Sequence, residues 1–156
     1  MKKLSWEDIE ENIDKLADKI KASGFKPDYI IGIANGGLIP LYFLTKKLGV
    51  DDVLIVSASS YDKDKRKDLK IKYIPETNLT SKKILLVDDI SDTGLSLKGV
   101  VDAITHKYNI SELKTATLEV NKKRCKFYPD FYVAVEEGEW VVFPWEKSEF
   151  PEYFKG

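Results

Sequence analysis

The sequence predicts an α/β fold, a mainly parallel central sheet flanked by helices. Three observations carry this: short apolar runs rich in β-branched residues at 29–33, 53–57, 84–87 and 115–120; helical periodicity between them; and glycine-bearing turns after two of the runs. Strands that alternate with helices need crossovers, and crossovers cover both faces of a parallel sheet. At 156 residues the chain suits one such domain, spanning 1–156.

The elements follow in order. Ser5 is placed to cap a helix with Asp8 three residues on, and Ile9, Ile13, Leu16 and Ile20 recur as one buried stripe, stopped by Gly24 and Pro27. YIIGI, Tyr29 to Ile33, reads as a buried strand; Ala34, Asn35, Gly36 and Gly37 form a turn; LIPLYFLTKKLG reads as a helix closing on Gly49. Val53 to Ser57 is a second buried strand. The polar stretch from Ser59 to about Lys70 has no period of its own and reads as a mobile loop or hairpin, and Leu69 to Ile74 can add a strand. Ile84 to Val87 is the third clear buried strand, followed by an acidic turn and a helix from about Leu95 to Tyr108. Thr115 to Val120 and Phe131 to Val135 supply two further strands, and an aromatic segment, EWVVFPWE, leads into a loose end.

Composition narrows the class of function. With 25 basic and 26 acidic side chains the formal charge is -1, so nothing advertises a nucleic-acid or membrane surface. No stretch approaches the roughly 18 apolar residues of a membrane span, and no signal peptide is evident. The single cysteine, Cys125, excludes an internal disulfide and a thiolate cluster, and fits a cytoplasmic setting. His106, late in a helix, and Cys125, with no second cysteine or histidine near it in sequence, read as incidental. Leu41, Tyr42 and Leu44 read as exposed residues of the second helix and suggest a homodimer or higher homo-oligomer.

The chemistry concentrates in ILLVDDISDTGLSLKGV. Asp88 and Asp89 end an apolar strand side by side, where they repel and resist burial unless a cation or a polyhydroxyl ligand meets them. Asp92, Thr93, Gly94, Leu95 and Ser96 then open a helix, so free backbone N–H groups, the positive end of the helix dipole and two hydroxyls converge into a phosphate cradle. The acid pair offers acceptors for vicinal hydroxyls, or ligands for magnesium that brings its own waters. Simple helix capping is the plainer reading, but three carboxylates within five residues exceed what capping needs.

VDDISDTGLS resembles the phosphoribosyl pyrophosphate (PRPP) motif of type I phosphoribosyltransferases: a hydrophobic run, two acids, then DTG with a small hydroxyl residue. IIGIANGGLIPLYFLTKKLGV resembles that family's pyrophosphate-binding loop. TATLEVNKK, YPDFYV and EWVVFPWE resemble the base-binding half and C-terminal hood, here about residues 120–156, of the xanthine, guanine and hypoxanthine branch. The resemblance implies that Asp88 and Asp89 hold the ribose hydroxyls and ligate Mg2+, that Asp92 to Ser96 hold the 5′-phosphate, and that Asp92 serves as general base or proton shuttle near the purine N7. It also implies that Ala34, Asn35, Gly36 and Gly37 hold pyrophosphate, with a cis peptide at Ala34–Asn35. Lys122 would address the purine 6-oxo group, in competition with Asn121 and Lys123 for that place, while Trp140 and Val141 shape the base pocket.

One departure stands out: the family usually has Arg or Lys where this chain has Asn35. The polar loop is then the implied lid, and either its Lys63, Lys65, Arg66 and Lys67 compensate or PRPP binding is altered. The implied activity is transfer of a phosphoribosyl group from PRPP to a purine base. The alternatives are a non-catalytic PRPP- or nucleotide-binding regulator on the same fold, and a receiver domain. The second fails because no phospho-acceptor aspartate ends a later strand.

Overall fold

The computed structural model describes residues 1–63 and 66–156. The chain runs β1 (Lys2–Lys3), α1 (Trp6–Ala22), β2 (Tyr29–Ala34), α2 (Leu38–Leu48), β3 (Val53–Lys63), β4 (Arg66–Tyr73), β5 (Lys83–Ser91), α3 (Leu95–Lys107), β6 (Glu112–Asn121), β7 (Ala134–Glu136) and β8 (Val141–Val142). Single 3-10 turns follow at Pro144–Glu146 and Pro151–Phe154. The main sheet has the order β4-β3-β2-β5-β6-β7, parallel throughout except for the β3–β4 hairpin.

Local signals explain most of these elements. Asp8 N–H donates to Ser5 Oγ (3.1 Å) and Ser5 N–H returns a bond to Asp8 Oδ2 (2.7 Å), so α1 starts on the expected capping box. Its buried stripe is Ile9, Ile13, Leu16, Ala17 and Ile20, packed with Ile30, Leu85 and Val87 on one face of the sheet. The other face is covered by α3, whose Leu97, Val100 and Ile104 meet Ile31, Ile33, Ile84 and Leu86. Alternation along β2 and β5 thus feeds two cores, as a sheet buried on both sides requires.

Three expectations need correction, and the polar stretch takes the hairpin of its two expected forms. β5 does not stop at Val87 but continues to Ser91, because the longer β6 offers ladder partners beyond it: Asp88 faces Thr117, Ile90 faces Glu119 and Ser91 faces Val120. On its other side β5 loses its partner after Val87, so the acids border an open edge. The polar stretch after Ser57 belongs to an edge hairpin in which Ser57 to Lys63 pair with Tyr73 to Arg66. Phe131 makes only an isolated bridge to Ala116, and the strand proper begins at Ala134. Leu41 and Leu44 are buried where α2 packs on the sheet, and only Tyr42 of that trio points outward, with 60% of its surface exposed.

One pairing has no local signal. Lys2 and Lys3 form a two-residue parallel ladder with Val141 and Val142, which ties the first residues to the aromatic segment. There Phe143 stacks on Trp145 at 4.7 Å, and Trp6 of α1 packs against Trp145 at 5.9 Å. Among the described residues no helix is long and apolar enough to cross a membrane.

Candidate active site

The chain leaves β2 through α2 toward β3 and leaves β5 through α3 toward β6, so neighbouring strands send their connections in opposite directions. A crevice opens at such a switch point, beyond the carboxyl ends of the strands. Both glycine-bearing turns reach it. They touch: a Cβ added at Gly36 would lie 2.1 Å from Asp89 Oδ2, so a side chain there would collide with the acid pair. The Ala34–Asn35 peptide is cis, and Asn35 is exposed.

A cavity of about 280 Å³ lies over the acidic turn, lined by Asp88 to Leu97 together with Ser60 and Lys67 of the hairpin. Burial pushes the Asp88 carboxyl well above the ordinary carboxylate range, and the negative Asp89 pushes it the same way. Burial also raises Asp89. Backbone donors answer only part of this charge, from Asp89 N–H to Asp88 Oδ1 (2.9 Å) and from Ile90 N–H to Asp89 Oδ1 (2.7 Å). The pair therefore favours a cation or hydroxyl donors. No group of three or more His, Cys, Asp or Glu side chains forms a metal cage among the described residues. Two carboxylates with room for substrate oxygens and water suit magnesium, which rarely takes an all-protein cage.

Next along the chain is the cradle. Gly94 adopts φ +85 as the residue before α3, Leu95 N–H is held by Thr93 Oγ1 at 3.2 Å, and Ser96 and Leu97 of the first turn also line the cavity. Of the basic residues expected in the lid, Lys67 lines the cavity. Lys65 lies outside the described residues, as do the side chains of Lys63 and Arg66.

The residues expected at the base are less closely gathered. Lys122 is exposed and pairs with Glu137 at 3.0 Å. Trp140 is half exposed and meets Phe150 edge-on at 6.1 Å, while Val141 is buried in β8; none of the three lines the cavity. Asn121 is fully buried, its Oδ1 accepting from Lys123 N–H (3.2 Å) and its Nδ2 without a partner among the described residues.

Three groups near the site went unread in the sequence. Arg124, within the polar run NKKR, reaches Asp92 Oδ1 through Nη2 (2.6 Å) and Nε (3.0 Å). Glu146 accepts from Phe143 N–H at 2.8 Å; burial raises its carboxyl, and the charge on Asp89 pushes the same way. Ser60 comes from the hairpin. A faint signal existed only for Glu146, an acid inside an aromatic run. Cys125 is structural, its Sγ within 3.3 Å of Ser91 Oγ and 3.1 Å of the Phe127 carbonyl, and His106 is exposed at the end of α3.

A second acidic cluster sits behind the site. Glu119 is fully buried, with neither carboxylate oxygen hydrogen-bonded among the described residues, 3.7 Å from the Lys2 ammonium, which also grips Glu136. Burial raises the Glu119 carboxyl to about 7, against the pull of Lys2. Burial works against the charge on Lys2, but Glu136 and Glu119 outweigh it and hold the ammonium up.

Residues 4–149 match the phosphoribosyl transferase domain. Among solved structures, the chain is similar to a purine phosphoribosyltransferase from Pyrococcus horikoshii, at 35% identity, TM-score 0.80 and 92% coverage of both chains. It is also similar to a xanthine-guanine-hypoxanthine phosphoribosyltransferase from Helicobacter pylori, at 26% identity and TM-score 0.84 over 99% of each chain. A third is a hypothetical protein from Neisseria gonorrhoeae with bound ppGpp, at 25% identity and TM-score 0.82, covering 98% of this chain and 94% of that one.

Proposed function

Since this chain belongs to the phosphoribosyl transferase domain family, we propose that it transfers the 5-phosphoribosyl group of PRPP to a 6-oxopurine (xanthine, guanine or hypoxanthine) and releases pyrophosphate. One observation carries this reading: an uncompensated acid pair and a helix N-terminus line the same cavity, which matches a ribose bearing a 5′-phosphate.

In this reading Asp88 and Asp89 accept from the ribose hydroxyls, and the loop from Asp92 through Thr93, Gly94 and Leu95 to Ser96 grips the 5′-phosphate through N–H groups and hydroxyls. Ala34, Asn35, Gly36 and Gly37 receive the pyrophosphate, with Lys67 as the described lid cation facing the cavity. Asp88 and Asp89 would also hold Mg2+, which when bound supplies charge neutralisation of the leaving group. The rest of catalysis is positioning. The loops fix the anomeric carbon against the incoming purine nitrogen, the hairpin excludes water, and Asp92 takes or shuttles the purine proton as the ribose passes through an oxocarbenium-like state.

Trp140 and Val141, in a hood over about residues 120–156, shape the base site. Lys122 addresses the 6-oxo group after giving up Glu137, an exposed pair that costs little to break. The protein works in the cytoplasm as a homo-oligomer, joined through the face where Tyr42 and Val53 share a groove.

A second reading, regulatory binding of a nucleotide without turnover, is favoured by the neighbour with bound ppGpp and by Asn35 in place of a cation. Incubation with PRPP, magnesium and each of xanthine, guanine, hypoxanthine and adenine separates the two. Nucleotide product with a 6-oxopurine is expected, and PRPP binding with no product from any base would leave only the regulatory reading.

A further inference from the structure

We propose that Arg124 is a positioning residue that aims Asp92 at the reacting base; this rests on the reading of Asp92 as the proton-handling group. Both bonds from the Arg124 guanidinium go to Oδ1 of Asp92, and Oδ2 receives none among the described residues. A fork that grips one oxygen fixes the plane of the carboxylate while leaving the other oxygen for substrate. Asp92 lines the cavity, and Arg124 stands outside its lining, as expected of a residue that acts through another.

The segment that carries Arg124 is itself anchored on both sides. Behind it, buried Asn121 accepts from Lys123 N–H at 3.2 Å and from Arg124 N–H at 3.4 Å, which sets the turn. Ahead of it, Lys126 N–H donates to the Thr93 carbonyl at 2.9 Å and Ser91 Oγ donates to the Phe127 carbonyl at 3.0 Å. Gly94 lies so close that a Cβ there would meet Phe127 N at 2.7 Å. The strand that ends in Asn121 and the loop that holds the phosphate are thus bound edge to edge, and Arg124 is the point where that contact touches the chemistry. An arginine recruited only for surface charge needs none of this support.

The test is steady-state kinetics of the full chain with PRPP, magnesium and its best purine, for wild type, Arg124→Ala, Arg124→Lys, Asp92→Asn and the double variant Arg124→Ala/Asp92→Asn, with thermal unfolding of each. Loss of one charge-assisted contact in a transition-state assembly is worth on the order of 10- to 100-fold. Arg124→Ala should lower kcat by that factor with KM for PRPP within about twofold and unfolding unchanged, Arg124→Lys should recover part of it, and removal of Arg124 should cost less than about twofold once Asp92 is Asn. An unchanged kcat, a loss confined to KM for PRPP, or an equal loss in the Asp92→Asn background would each overturn the proposal while leaving the activity standing. Absence of turnover in the wild type would instead remove the reading on which it rests.

Discussion

Two acid pairs occupy the neighbouring strands β5 and β6–β7, and only one of them comes with its own cation. Glu119 and Glu136 share the Lys2 ammonium, which the β1–β8 ladder delivers to them. Asp88 and Asp89 have backbone donors and a cavity, but no basic side chain bonds to them among the described residues. Where carboxylates are kept inside for architecture, the chain supplies the countercharge; where it withholds the countercharge, the acids line a cavity open to a ligand.

The sharpest way to break that contrast is to neutralise the pair without a cation. Asp88→Asn with Asp89→Asn should reduce PRPP turnover by on the order of 1,000-fold, measured as kcat/KM, while raising or preserving the unfolding temperature because a repulsion is removed. Unchanged turnover would refute the ribose assignment, and a loss of fold would make the acids structural after all.

The opposite pair offers a smaller effect with a definite sign. Glu119 titrates near 7 in the fold against 4.5 as its ordinary value, so the native state holds its proton more tightly than the unfolded chain. The associated stability is complete below pH 4.5 and is lost as pH rises to about 7. Glu119→Gln keeps the neutral shape, and its urea-denaturation stability relative to wild type should therefore climb by up to about 3 kcal/mol between pH 4.5 and 8. A difference that stays flat with pH would show that Lys2 compensates Glu119 fully.

The smallest effect belongs to a third acid that lies in solvent. Lys122→Ala breaks the exposed pair with Glu137 and should leave the unfolding temperature essentially unchanged. If the lysine serves the base, KM for the purine rises by about threefold to tenfold in the same variant, as expected for one charged hydrogen bond. An unaltered KM would return Lys122 to the surface.

How much of this was legible depended on distance along the chain. The helical stripe from Ile9 to Ile20, the capping box at Ser5 and Asp8, and the run from Asp88 to Ser96 are local, and each could be read because successive members lie only a few residues apart. What failed was set by partners elsewhere. β5 runs past Val87 because β6 is there to pair with it, and Leu41 and Leu44 turn inward because the sheet lies beneath α2. Arg124 and Glu146 carry no signature in NKKR or FPWE that separates them from surface charge; only the fold brings one to Asp92 and the other toward Asp89. Lys2 is the extreme case, a residue that looks like solvated N-terminal charge and turns out to neutralise the interior.

That last contact also imposes an order of events. The ammonium of Lys2 meets an acid 134 positions downstream, and its backbone pairs with residues later still. During synthesis β5 and α3 can close the acidic turn soon after they emerge, whereas Lys2 must wait first for Glu119 and then for Glu136 and Val141. The wall that carries Trp140 is therefore fastened late, by a residue made early.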